Sequence, residues 1–155
     1  MGLVIKQGDV MATKSQALLL TVDGANRALT GSVTRQFERQ YPEAWKLIQR
    51  RVRYPFQDGA CVAAKTDGLC PWSLVVLAST LNHASILEAS QQGVVVRKAT
   101  KDALLWCLKF GLSSLASPLL LGGWRLSAPS AVSEMRTGFL LVQRPSFEFE
   151  VLCLE

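Results

Sequence analysis

Apolar residues along the chain follow two rhythms, and their alternation predicts an α/β fold. Residues 3–7 and 17–22 are short runs bounded by polar residues, and the second is apolar at every position except Thr21. Such a run suits a strand buried on both faces better than so short a helix. From Ser32 the period lengthens. Val33, Phe37, Tyr41, Ala44, Trp45 and Ile48 recur at three- and four-residue spacing with cations between them, which predicts an amphipathic helix. Pro42 interrupts it and predicts a kink or two abutting helices, because proline suits a first turn and not a helix interior. Residues 59–65 and 73–79 predict two adjacent antiparallel strands about the Thr66-Asp67-Gly68 turn.

Farther along, the pattern is less even. Residues 82–92 fit neither rhythm, and Val94-Val95-Val96 suits a short strand or the lead-in to a helix. Thr100 can cap a helix running to Leu115 with Ala103, Leu104, Cys107, Leu108 and Leu112 on its apolar face. Residues 118–121 then predict a strand. Ser127 or Ser130 caps a helix carrying Val132, Met135, Phe139 and Val142. Residues 147–153 begin in strict alternation, the mark of a strand with one more exposed face. The order β-β-α-β-β-α-β-α-β implies a single domain over residues 1–155. Its predicted architecture is a three-layer α/β/α sandwich around a mixed, mostly parallel central sheet.

Two predicted strands run into small-residue loops that open helices. The run at 17–22 continues as Asp23-Gly24-Ala25-Asn26-Arg27-Ala28-Leu29-Thr30-Gly31-Ser32, and the run at 118–121 as Gly122-Gly123-Trp124-Arg125-Leu126-Ser127. In open α/β sheets ligands bind at the carboxyl ends of strands, and helix N-termini there favour anions. A cleft for a phosphorylated ligand is expected.

Composition narrows the classes. The charged fraction is low and the chain is apolar enough to build one compact core. No apolar run reaches the roughly 18 residues of a membrane span, and no secretory leader is evident, so a cytoplasmic protein is expected. Cys61, Cys70, Cys107 and Cys153 form no C-x-x-C pair and no metal-like rhythm with His83. They read as free thiols, with no metal or cofactor implied. The net charge of +5 gathers partly in Arg35, Arg39, Lys46, Arg50, Arg51 and Arg53. A solvated helix face explains these cations most simply; attraction to nucleic acid is the alternative.

The motifs together resemble a macrodomain. Val4-Ile5-Lys6-Gln7-Gly8-Asp9-Val10 resembles that family's first strand and Gly-Asp-Ile/Val signature. Leu29-Thr30-Gly31-Ser32-Val33-Thr34-Arg35-Gln36-Phe37-Glu38-Arg39-Gln40-Tyr41-Pro42-Glu43 is similar to the Gly-x-Gly-Ile-Ala-x-x-Phe-Lys-x-x-Phe-Pro segment. That segment typifies the branch removing ADP-ribose from DNA or from glutamate. Residues 117–132 resemble the second phosphate loop and its helix. The resemblance implies that Asp9 accepts from the adenine amino group beside the Val10 backbone. It implies that Thr30, Gly31, Ser32 and Val33 offer N–H groups to the diphosphate or distal ribose, with Asn26 near that ribose. Leu121, Gly122, Gly123, Trp124 and Arg125 would form the second loop. Each has a plainer reading too: Asp9 as a turn cap, residues 30–33 as an ordinary helix start, Trp124 as a core aromatic.

Departures from the family pattern bear on function. Thr80 and Arg125 stand where that branch has a catalytic lysine and an acid. No lysine lies between Lys65 and Lys98, and no acid between Asp102 and Glu134, so a small shift restores neither. Glycoside hydrolysis needs a group that activates water. Asp23 is the candidate, and His83 reads as a loop residue. The expected function is binding of ADP-ribose or a related nucleotide diphosphate by a weakly active or non-catalytic domain. An active ADP-ribosyl hydrolase on modified protein or nucleic acid is the first alternative. An interaction module that has lost the ligand is the second.

Overall fold

The computed structural model describes residues 2–81, 87–123, 125–142, 144 and 146–153. His83 and Trp124 lie outside the described residues. Six strands form one sheet: β1 (Gly2–Gln7), β2 (Ala17–Val22), β3 (Cys61–Lys65), β4 (Leu74–Ser79), β5 (Ser114–Pro118) and β6 (Glu148–Cys153). Their spatial order is β1-β6-β5-β2-β4-β3. All neighbours pair in parallel except β3, which is antiparallel to β4.

The alternation within β2 builds both cores. Leu18, Leu20 and Val22 face the helices α1 (Ser32–Gln40) and α2 (Pro42–Arg51), packing with Phe37, Ile48 and Trp72. Ala17 and Leu19 face the opposite layer, α3 (Ala89–Lys109) and α4 (Ala128–Val142), packing with Leu104, Met135 and Phe149. A strand between two helical layers has no polar face, which explains its continuous apolar run. Pro42 sits in the first turn of α2, so the interruption resolves as two abutting helices. The three-layer sandwich is the observed architecture.

The expected bounds of one helix and one strand are corrected. Val94, Val95 and Val96 lie inside α3, which begins eleven residues before Thr100. Its start is fixed by a capping box in which Glu88 and Gln91 exchange hydrogen bonds. The helix also stops short of Leu115. Gly111 adopts φ +71°, and the Gly111 and Leu112 N–H groups return to the carbonyls of Leu108 and Cys107 at 3.0 and 2.9 Å. This Schellman closure ends the helix although the apolar period continues through Leu112. The chain thus enters its strand at Ser114, and residues 119–121 lie beyond the strand instead of forming it.

The sheet carries a built-in gap. β2 and β4 pair over all six positions, whereas β2 and β5 pair only at Ala17–Leu115 and Leu18–Ala116. Beyond them Pro118 has no N–H to give, and the Leu119 N–H donates to Leu152 on the β6 side at 3.2 Å. The chain leaving β2 goes to α1 on one face, and the chain leaving β5 goes to α4 on the other. Neighbouring parallel strands whose connections diverge in this way leave a crevice at their carboxyl ends. No helix of the described residues is long and apolar enough to cross a membrane.

Candidate functional site

A hollow of about 310 Å³ occupies the gap between β2 and β5. One wall is the start of α1: Thr30, Gly31, Ser32, Val33 and Arg35, above Thr21 of β2. The other is the chain after β5, including Leu121, Gly122 and Gly123, while Thr80 and Leu81 close it at the end of β4.

Gly31 fits its place by size. A side chain there would overlap the Thr21 hydroxyl, although the backbone angle is ordinary. Its N–H is already given to the Thr21 carbonyl at 3.2 Å, and the Thr34 hydroxyl donates to the same oxygen at 2.7 Å. Gly31 therefore anchors the loop to β2 and is not itself a free donor. As the N-cap it supplies no side-chain hydrogen bond, so the first-turn N–H groups of α1 have no capping side chain and the positive end of the helix is left to the cleft. Arg35 follows one turn in, lines the cleft, and donates to the Thr30 carbonyl at 2.6 Å.

The opposite wall depends on conformation. Gly122 and Gly123 adopt φ +60° and +68° in succession. A Cβ on Gly122 would also collide with Gln92, reaching 2.6 Å from Nε2 and 2.8 Å from Cδ. Gln92 is fully buried, and its Nε2 donates to the Thr80 carbonyl at 2.9 Å. One buried side chain thus holds the end of β4 and packs against the second loop. The Leu121 carbonyl accepts from the Leu126 N–H at 3.0 Å and closes that loop.

The remaining expected site residues sit around this cleft. Asp9 is exposed and caps a short 3-10 helix at Val10–Ala12, its Oδ1 accepting from the Met11 N–H at 2.9 Å; Val10 is buried beside it. Asp23 is buried, and its Oδ1 accepts from the Ala25 N–H at 2.9 Å, so it organises the first loop from behind the described lining. Asn26 is exposed, with its side-chain oxygen accepting from the Ala28 N–H at 3.0 Å. Arg125 is half-buried and engaged within the chain. Trp124 and His83 fall outside the described residues.

Sequence reasoning missed three participants. Arg35 reads as one more solvated cation, Thr80 only as the place of a missing lysine, and Gln92 falls in a stretch without rhythm. Only Arg35 carried a usable signal, since it stands one turn past the glycine that opens a helix. The rest of the basic run is partly occupied: Lys46 pairs with Glu43 at 3.1 Å and Arg51 with Asp67 at 2.6 Å.

Other chemistry is limited. All four cysteines are free. Burial pushes the Cys61 thiol well up and that of Cys107 to about 12, so neither supplies a thiolate nucleophile. No metal-holding group of three or more His, Cys, Asp or Glu exists among the described residues. A hollow of about 360 Å³ at the amino ends of β1, β6 and β5 is bordered by Lys6, which already pairs with Glu150 at 2.8 Å.

No protein-family model and no curated protein sequence matches the chain. Solved structures do. A variant of the Oceanobacillus iheyensis macrodomain superposes with a TM-score of 0.77 at 15% identity, covering 99% of this chain and 84% of that one. The macrodomain of Thermus aquaticus DarG gives 0.74 at 19% identity, covering 97% of each chain. The Trypanosoma brucei macrodomain, solved in complex with ADP, gives 0.74 at 16% identity over 99% of this chain and 64% of that one. The chain has the macrodomain fold.

Proposed function

We propose that the cleft binds ADP-ribose or a related nucleotide diphosphate, and holds it better than it cuts it. The observation that carries this reading is the pairing of an α1 start lacking a side-chain cap with two consecutive left-handed glycines across one gap. The Ser32 and Val33 N–H groups and Arg35 take the diphosphate on one side, and Gly122 and Gly123 let the backbone approach it on the other. Asp9, with one carboxylate oxygen engaged by Met11, keeps the second for an adenine amine beside Val10. Asn26, Leu121 and Arg125 would border the ribose from the two loops, as the resemblance implies. The ADP held by the trypanosomal neighbour supports a nucleotide of this class.

Holding is favoured by what lines the cleft. Among the described residues the lining carries one cation, Arg35, and the hydroxyls of Thr21, Thr30, Ser32 and Thr80, with no carboxylate. Unassisted hydroxyls are poor bases for activating water. Asp23 acts by ordering the first loop. The free cysteines support a reducing compartment such as the cytoplasm.

ADP-ribose at about 100 times its Kd should stabilise the fold by about 2.7 kcal/mol. For a domain of this size the melting temperature then rises by roughly 5–10 °C. No shift at millimolar ADP-ribose would remove the reading. Rapid release of ADP-ribose from modified protein or DNA would overturn its non-catalytic part. Arg35→Ala should weaken ADP-ribose roughly five-fold at low salt, and added salt should shrink the difference, because an exposed cation is screened. Equal affinities of the two proteins at low salt would take Arg35 out of the site.

A further inference from the structure

We propose that the Thr80 hydroxyl is a specificity-determining contact, hydrogen-bonding an oxygen of the ligand at the floor of the cleft. The proposal rests on the nucleotide reading of that cleft. Among the described residues, six serine and threonine side chains are buried: Thr34, Thr66, Ser79, Thr80, Thr100 and Ser117. Five have partners. Thr34 donates to Thr21, Thr66 to Trp72, Thr100 to Val96 and Ser117 to Pro118, while Ser79 accepts from the Gly24 N–H. Thr80 Oγ1 has none, and Thr80 is the one of the six that lines the cleft.

The backbone of Thr80 is fully engaged, which makes its idle side chain informative. Its N–H donates to the Val22 carbonyl at 3.2 Å, and its carbonyl accepts from Gln92 at 2.9 Å. Backbone position is fixed from two sides, and χ1 alone remains to turn the hydroxyl toward a ligand. Valine has the same branched shape at this strand end and would bury no unpaired polar group. A buried hydroxyl without a partner lowers stability, so its presence beside a cleft fits a partner that arrives with the ligand. A hydroxyl both donates and accepts, and suits either a phosphate oxygen or a sugar hydroxyl.

Thr80→Val and Thr80→Ser, titrated with ADP-ribose and with ADP and melted without ligand, test this directly. Thr80→Val should melt no lower than the native protein yet bind ADP-ribose roughly five- to thirty-fold more weakly, the effect of one hydrogen bond lost at a buried hydroxyl. Thr80→Ser should bind within about two-fold of native, since it keeps the donor and acceptor. Equal loss for ADP assigns the contact to phosphate, and loss confined to ADP-ribose assigns it to the terminal sugar. Native affinity in Thr80→Val overturns the proposal while leaving the cleft reading intact. A lowered melting temperature in that variant overturns it too, by giving the hydroxyl a structural role. Failure of the native protein to bind either nucleotide brings down both readings together.

Discussion

Replacing Gly122 with valine should abolish ADP-ribose binding and destabilise the protein by about 3 kcal/mol or more, because two independent costs fall on one atom. The first is conformational. At φ +60° a β-branched residue is a genuine outlier. The second is steric, since the new Cβ would enter the space of the Gln92 side chain. Gln92 cannot simply swing aside. It is fully buried, and its amide holds the Thr80 carbonyl. Relief of the collision therefore disturbs the end of β4 as well as the second loop, two of the surfaces that shape the cleft.

Gly123 supplies the internal control. It has nearly the same φ, +68°, but among the described residues, its chain neighbours aside, a Cβ there would meet nothing within 4 Å. Gly123→Ala should accordingly cost only about 1 kcal/mol of left-handed strain and leave most of the ADP-ribose affinity. Gly122→Ala should lose much more of both. Calorimetric titration and urea unfolding of the two alanine variants measure the difference, and equal behaviour would show that Gln92 gives way freely.

Gly138→Leu should lower stability by about 3 kcal/mol or more, by prising α4 from α3. Gly138 lies on the buried stripe of α4 with Ala131 and Met135. A Cβ there would stand 2.6 Å from the Arg97 carbonyl and 2.9 Å from the Thr100 Cβ. The first of these is helix backbone and cannot rotate away. The same seam is crossed by the Arg97–Glu134 ion pair at 2.8 Å, and Glu134 also fills the space above Gly93. Small residues on both helices thus set their close approach.

The sign of the milder variant is the sharper test. At an open helical position, glycine to alanine stabilises by roughly 0.5–1 kcal/mol. At Gly138 the contact should reverse that sign, and the melting temperature of Gly138→Ala should fall by several degrees. A rise would mean that the helices can separate at little cost. While it stays folded, Gly138→Ala should bind ADP-ribose far better than Gly122→Val, since the damage lies behind the sheet and not in the cleft wall.

Much of the fold was legible because it rests on local rules. The β2 run, the change of period at Ser32, the break at Pro42 and the alternation entering β6 each reflect which face of an element meets the core. The first half of α3 was not legible. Three consecutive valines favour a strand, and Gly93 weakens a helix. They are helical because Val95 and Val96 face the core and Gly93 admits Glu134 from α4. The shift of β5 has a similar origin. Leu112 continues the helical period, but Gly111 in its left-handed turn ends the helix first.

From the sequence alone came the layered α/β architecture and the two loops at strand ends, since periodicity and small residues encode burial and tight turns locally. It also supplied the resemblance that pointed to a nucleotide diphosphate, and the lack of a lysine or acid at two expected places. Only the tertiary structure decided how the loops are used. It committed the Gly31 N–H to Thr21, turned Asp23 inward to Ala25, and brought Arg35 to the lining. It also set Gln92 under Gly122 and left the Thr80 hydroxyl without a partner. The physical reason is that a polar group's role depends on what satisfies it when buried, and those partners come from elements far apart in the chain.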